Sequence, residues 1–175
     1  ISACFTGLWV QSFEHDDALA EIANLCRQEK WRLVTWDIER GLSLSNQANG
    51  QGVETGTNDP LAAIRSLSTL ASENSSALLV LTNFHRFLQS AEIVQALAKQ
   101  IARGKQNRTF VVILSPIVQV PTELDKQFVV IEHLAGAFRR REQGRLRVAG
   151  RWSGGQVDDI DRIRMCLFVF GDRNE

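Results

Sequence analysis

Polar side chains directly follow four apolar segments, each of the length of a buried strand. They are Gln11 to Asp17 after the first segment, Asp37 and Glu39 after the second, Thr82 and Asn83 after the third, and Ser115 after the fourth. In open α/β sheets, ligands bind where the parallel strands end. Phosphate binding and metal-assisted phosphotransfer or hydrolysis are therefore the chemistries that these residues suggest.

A P-loop nucleotide hydrolase needs three elements at these positions: a G-x-x-x-x-G-K-[ST] loop, an acid that holds Mg²⁺, and a polar sensor. The first connection, QSFEHDD, contains neither glycine nor lysine. Thr82 and Asn83 stand where the acid is expected, and Pro116 follows Ser115 at once. Because Thr82 and Asn83 carry no charge, they neutralise Mg²⁺ poorly. The sequence predicts the position of a catalytic strand without the groups that would make it work.

Three acids, Glu14, Asp16 and Asp17, mark the start of a helix. Carboxylates there stabilise a helix by roughly 0.3–1 kcal/mol each and would repel a triphosphate. We interpret them as helix-capping residues. The alternative is a metal site formed by Glu14, His15 and Asp17, which no second ligand cluster in the sequence supports.

Asp37 and Glu39 leave an enzyme open as a second hypothesis. Acids at the carboxyl end of a strand can hold a metal ion or accept a phosphoryl group, which would give a small metal-dependent phosphotransferase or hydrolase. A solvated turn is the simpler interpretation. The histidines, His15, His85 and His133, have no G-x-S-x-G motif to accompany them, so the sequence gives no support for a catalytic triad.

Composition places the chain among ordinary globular proteins. It has 175 residues, 44 % of them hydrophobic and 23 % charged, with a formal net charge of +0. This predicts one domain and argues against nucleic acid or membranes as partners. No apolar run reaches a spanning length, and we expect no secretory signal. Three cysteines without metal-ligand spacing predict reduced thiols in a cytoplasmic protein, with Cys26 in the core. The first residue, Ile1, suggests a piece of a longer protein.

Apolar segments alternate with helical patterns, which predicts a mostly parallel sheet of about five strands with helices on both faces. The predicted strands are 5–10, 31–36, 77–81, 109–114 and 127–131. The predicted helices begin near Glu14, at Asp59-Pro60 and at Ser90, the last two with capping side chains. Residues 41–58 are rich in Gly, Ser and Asn and predict a flexible loop.

The last segment, residues 135–175, differs from the rest of the chain. It contains a cluster of six arginines, at positions 139, 140, 141, 145, 147 and 151, and shows no clear way to extend the sheet. We expect an atypical, poorly ordered tail. Anion or RNA binding by these arginines is a third functional hypothesis.

Two segments, LLVLTNFHRFL and LSPIVQVPTEL, resemble those of a family of AAA ATPases found in many bacteria and in some algal chloroplast genomes. The segments TGLWVQSFEHDDALAEI and TWDIERGL also resemble the first part of the family's sequence. The resemblance covers about residues 3–133. It implies the N-terminal, AAA-like half of such a protein, folded like a P-loop NTPase but lacking its motifs. The arginine-rich tail does not match the family.

The resemblance also implies a function without chemistry of its own. ATP and Mg²⁺ would be cofactors only of a C-terminal ATPase half, and the domain at residues 1–134 would be an assembly or regulatory module. Its partners would be that half, like subunits, or a protein client. The turn Asn83, Phe84, His85 and Arg86 is the candidate interaction site. We interpret Arg86 as a surface residue of this turn, with an arginine finger toward a neighbouring subunit as the alternative.

Overall fold

The computed structural model describes residues 6–45, 52–54, 57–70, 76–134 and 137–140. They form eight strands, β1 (Gly7–Gln11), β2 (Arg32–Asp37), β3 (Gly41–Ser45), β4 (Gly52–Glu54), β5 (Ala77–Thr82), β6 (Thr109–Ser115), β7 (Phe128–Leu134) and β8 (Ala137–Arg140). The helices are α1 (His15–Gln28), α2 (Pro60–Leu70) and α3 (Ala91–Asn107). Short 3₁₀ helices cover Phe84–Phe87 and Thr122–Leu124.

One mixed sheet contains all eight strands, in the order β4-β3-β2-β5-β6-β1-β7-β8. Its five central strands, β2, β5, β6, β1 and β7, are parallel. They are the five strands that the sequence predicts, and the mixed α/β fold is confirmed. The carboxyl ends of these strands meet at one border of the sheet, here called the carboxyl edge. Their first residues form the opposite border, the amino edge.

Helices cover both faces of the sheet because its central strands are apolar on both sides. β5 and β6 show this most clearly, since Ala77 to Leu81 and every residue of β6 are buried. α1 packs on one face through Ala18, Ile22, Leu25 and Cys26. α2 and α3 cover the other face, where Trp9, Leu79 and Ile113 are buried against them.

The predicted flexible loop at 41–58 is wrong for its described part. β3 pairs antiparallel with β2, and β4 pairs with β3, so a hairpin extends the sheet. Gly41 adopts φ +71°, which lets the chain turn directly from β2 into β3. The alternation of Leu42 and Leu44 with serines is a weak strand pattern. Polar composition concealed this antiparallel strand, which needs only one apolar face.

The sheet also continues beyond the predicted limit at Leu134. β8 pairs antiparallel with β7, with Ile131 opposite Arg140 and Leu134 opposite Ala137. This corrects the expectation that residues 135–175 offer no way to extend the sheet. Residues 141–175, which include four of the six clustered arginines, lie outside the described residues.

The two predicted helix caps differ in the structure. The Asp59 carboxylate accepts hydrogen bonds from the backbone N–H groups of Leu61 (3.1 Å) and Ala62 (3.2 Å), as predicted. Ser90 occupies the N-cap position of α3, but its side chain makes no capping hydrogen bond. The predicted Ser90 cap is therefore wrong in its chemistry, although its position is right.

Candidate functional site

The connection between β1 and α1 lies where a nucleotide hydrolase would bind phosphate, and it is only three residues long. The Ser12 N–H donates to the Ser115 carbonyl at 3.0 Å, which holds the connection against β6. The Glu14 N–H donates to Ser12 Oγ at 3.0 Å, so serine satisfies an amide at the start of α1. A connection of three residues, with two of its amides bonded within the protein, is too short to wrap around a phosphate as a P-loop does.

Ser12 also belongs to a buried polar bridge that the sequence did not reveal. Ser12 Oγ lies 2.9 Å from His133 Nδ1. His133 Nε2 lies 3.6 Å from Glu21 Oε1. The bridge joins the end of β1, the end of β7 and the middle of α1. No sequence motif marks it, because Ser12 and His133 are 121 positions apart.

Serine, histidine and glutamate together resemble the machinery of a hydrolase, but the arrangement here does not support that chemistry. In a catalytic triad the serine contacts Nε2 and the acid contacts Nδ1, whereas the ring nitrogens of His133 are used the other way round. Ser12 is 1 % exposed, so a substrate cannot reach its hydroxyl. The bridge is a structural connection between three elements.

Ser115, the candidate sensor, is fully buried and used within the protein. Trp9 Nε1 donates to Ser115 Oγ at 3.0 Å and to the Ile117 carbonyl at 3.2 Å. Ser115 Oγ donates to the same Ile117 carbonyl at 2.6 Å. Because Trp9 is also fully buried, this hydroxyl is not available to a ligand at the carboxyl edge.

At the end of β5, Thr82 and Asn83 are half-buried and introduce no carboxylate. Asn83 adopts the left-handed conformation, φ 54°, and its N–H donates to the Leu114 carbonyl at 2.8 Å. This conformation is accessible to asparagine at modest cost. It turns the chain at once into the 3₁₀ helix that carries the aromatic-histidine turn.

The aromatic-histidine turn directs most of its side chains into the protein. Phe84 is fully buried and packs edge-on against Trp36, with ring centroids 5.3 Å apart. His85 is 7 % exposed, and its Nδ1 has no hydrogen-bond partner. Burial, and then the positive charges of Arg86 and His15, lower the pKa of His85. Arg86 is the exposed member of the predicted interaction turn, so it carries most of the surface this turn can offer a partner.

The acids of the two alternative hypotheses lie in a turn and at a helix start. Asp37 Oδ1 accepts hydrogen bonds from the N–H groups of Glu39 (2.8 Å) and Arg40 (2.7 Å), which stabilises the turn between β2 and β3. Within the described ranges, no three His, Cys, Asp or Glu side chains come together to hold a metal. Glu14, His15 and Asp17 are therefore not arranged as such a group. Asp16 and Asp17 are exposed in the first turn of α1, while Glu14 makes no capping hydrogen bond through its side chain.

The carboxyl edge therefore has the strand frame of a nucleotide site, in which Ser12, Ser115 and Asp37 are already bonded within the protein. A family model described as SpoVK-like AAA ATPase, N-terminal domain, matches residues 1–133. The chain belongs to this family. No curated protein and no solved structure matches the chain.

Membership of the SpoVK-like family confirms the N-terminal AAA domain that the sequence resembles. The match ends at residue 133, one residue before the end of β7, so β8 and the arginine-rich segment lie beyond it. Among the described residues of this SpoVK-like domain, no helix combines the length and apolarity needed to cross a bilayer.

Proposed function

We propose that this SpoVK-like N-terminal domain is a non-catalytic assembly or regulatory module of an AAA ATPase. The ATPase activity would belong to a C-terminal half, which would use ATP and Mg²⁺. Its partners would be that half, like subunits or a protein client, and its location would be the cytoplasm. In this proposal, the domain binds other proteins and does not hydrolyse ATP itself.

The observation that carries the proposal is the closed connection between β1 and α1. Phosphate binding at a helix start requires free backbone N–H groups. Here the Ser12 and Glu14 amides are already bonded, to Ser115 and to Ser12 respectively. The exposed carboxylates of Asp16 and Asp17 add a repulsive charge beside them. Binding a triphosphate would require breaking these contacts and overcoming that charge.

Calorimetry with the full chain tests the proposal. Titration with ATP in the presence of Mg²⁺ should give no binding heat, and ATP should not raise the melting temperature. A ligand present at a hundred times its dissociation constant stabilises a protein by about 2.7 kcal/mol, so real binding would be visible in the melting experiment. Micromolar, Mg²⁺-dependent binding of ATP would refute the proposal.

The enzyme hypothesis that relies on Asp37 and Glu39 receives no support from the geometry. Asp37 already accepts two backbone hydrogen bonds, and Glu39 is exposed in the same turn. If these residues bound a metal ion, Mg²⁺ would raise the melting temperature of the chain. We expect no Mg²⁺ effect, either in the wild type or after substitution of both residues by asparagine.

A further inference from the structure

Two connections at the carboxyl edge are bonded to the same end of β6. After β1, the Ser12 N–H donates to the Ser115 carbonyl at 3.0 Å. After β5, the Asn83 N–H donates to the Leu114 carbonyl at 2.8 Å. Leu114 and Ser115 are neighbours in β6, and β6 lies between β5 and β1 in the sheet. The two connections therefore approach each other over the end of one strand.

Each of these connections leads to a histidine. His15 follows Ser12 by three residues and is the first residue of α1. His85 follows Asn83 by two residues and belongs to the 3₁₀ helix. Burial lowers the pKa of His85, and the charges of Arg86 and then His15 add to this effect, as expected for neighbouring side chains. His15 and His85 are here called the histidine pair.

Both members of the histidine pair have a buried ring nitrogen without a hydrogen-bond partner. The two atoms are Nε2 of His15 and Nδ1 of His85. His85 is 7 % exposed and His15 is half-buried, so the pair lies just beneath the surface. A buried nitrogen without a partner costs free energy, because in the unfolded chain it forms a hydrogen bond with water. Two such atoms in one region indicate a ligand that satisfies both.

The chemistry of these nitrogens favours a metal ion as that ligand. A neutral imidazole nitrogen has a lone pair that binds zinc, copper, nickel and iron ions. A metal ion requires the deprotonated form of histidine. The lowered pKa of His85 keeps this side chain neutral at pH 7.

The charges around the pair also favour a cation over an anion. Three exposed carboxylates, those of Glu14, Asp16 and Asp17, are close to His15 in sequence. Arg86 contributes one positive charge from the turn. The start of α1 adds about half a positive charge, as any helix start does. Because the carboxylates outnumber these positive charges, the local field attracts a cation and repels an anion.

We propose that His15 and His85 bind a first-row transition-metal ion of the Zn²⁺ type between their buried ring nitrogens. Among the described residues, no third His, Cys, Asp or Glu side chain joins them, so the pair supplies two ligands. Zinc has four ligands in most of its protein sites. The other two positions are open to water or to a side chain of a bound protein. The inference goes beyond the proposed function, because it assigns the carboxyl edge a ligand of its own.

Zinc binding to the full chain tests the proposal. After treatment with EDTA and its removal, competition with a chromogenic zinc chelator should give a single Zn²⁺ ion per chain with a micromolar dissociation constant. Zn²⁺ should also raise the melting temperature, since it binds the folded state. Mg²⁺ should not raise it, because Mg²⁺ prefers oxygen ligands.

Two substitutions remove one ligand each. His15→Gln and His85→Leu should each raise the dissociation constant for Zn²⁺ at least about tenfold, because even the loss of a partner outside the ligand shell costs about that much. Replacement of both histidines should abolish stoichiometric binding. Urea unfolding in EDTA verifies that the variants fold. Neither substitution removes a hydrogen bond from the two buried nitrogens, so both variants should fold.

A matched control addresses the cysteines, which also bind zinc. The double variant Cys4→Ser with Cys166→Ser removes the two thiols that lie outside the described residues, and it should bind Zn²⁺ like the wild type. Co²⁺ gives a spectroscopic check. The complex should absorb visible light without the near-ultraviolet band that a cobalt–thiolate bond produces.

Several outcomes overturn the proposal. They are a wild type without stoichiometric Zn²⁺ binding, histidine variants that bind Zn²⁺ as tightly as the wild type, and a cysteine variant that loses the binding. Stabilisation by inorganic phosphate but not by Zn²⁺ also overturns it, in favour of an anion site. None of these outcomes involves ATP, whose binding separately tests the proposed function.

Discussion

The hydroxyl of Ser12 shows how a single side chain can close a potential ligand site. It accepts a hydrogen bond from the Glu14 amide at 3.0 Å and lies 2.9 Å from His133 Nδ1. Ser115 is comparable, because its hydroxyl is held between Trp9 and the Ile117 carbonyl. Both are polar residues at the ends of parallel strands, where the sequence alone permits a catalytic role. Their partners determine that they are structural.

His85 should make the stability of the protein depend on pH. Burial and the positive charges of Arg86 and His15 lower the pKa of His85 below its usual value of 6.5, so the unfolded chain binds the proton more tightly than the folded one. The stability contributed by neutral His85 is fully present above pH 6.5. It is lost as the pH falls from 6.5 through the lowered pKa of the folded state.

Urea unfolding at several pH values between 7.5 and 5 checks this prediction, with His85→Leu as the comparison. The variant should lose less stability than the wild type over this range. Because Nδ1 of His85 has no hydrogen-bond partner, leucine should also be tolerated at neutral pH. Equal losses in the two proteins would show that His85 does not titrate in this range.

At the scale of elements, the start of each helix is stabilised differently. α2 has the Asp59 carboxylate, α1 has the hydroxyl of Ser12, and the side chain of Ser90 makes no capping bond at α3. Local sequence signals identify the position of such a cap, since Ser and Asp are both common there. Whether the side chain makes the bond depends on its rotamer and its neighbours.

Substitution of the two predicted caps should therefore have unequal effects. Asp59→Ala removes two hydrogen bonds to backbone amides and should reduce the free energy of unfolding by about 1 kcal/mol. Ser90→Ala removes no capping bond and should change it by less than about 0.5 kcal/mol. Urea titration of both variants makes the comparison, and equal losses would mean that the Asp59 bonds do not stabilise α2.

At the scale of the whole molecule, the faces of the sheet are buried and its carboxyl edge is exposed. Its faces bury the core under α1 on one side and under α2 and α3 on the other. Its carboxyl edge remains exposed, with Phe13, Ile38 and Ile117 on the surface. Exposed apolar residues at one border of a sheet are typical of a contact surface, which agrees with the assembly role proposed for this domain.

Cys26 provides a measure of how often the whole core opens. Burial raises the pKa of its thiol to about 12, from 9.0. Since the thiolate is the reactive form, alkylation at pH 8 should be at least about a thousandfold slower in the folded chain than in urea. Mass spectrometry of the Cys26 peptide after iodoacetamide treatment measures this rate. Rapid modification without urea would show that α1 separates from the sheet by itself.

The amino-acid sequence by itself determined the central architecture and the absence of a phosphate-loop motif after β1. Strands such as Ala77–Thr82 are apolar along their whole length, and α1 repeats its apolar residues at helical spacing, so both are visible from neighbouring residues alone. The absence of a phosphate loop between Val10 and Ala18 is equally local. Side-chain burial and pairing were not needed to predict any of these features.

Tertiary structure alone decided which polar groups meet and which surfaces remain exposed. The contact between Ser12 and His133 depends on the parallel pairing of β1 with β7. The strand Gly41–Ser45 forms because β2 offers it an edge to pair with, in spite of its polar composition. The physical reason is the same in both cases: hydrogen bonds between residues far apart in sequence form only after the sheet is assembled, so no local pattern encodes them.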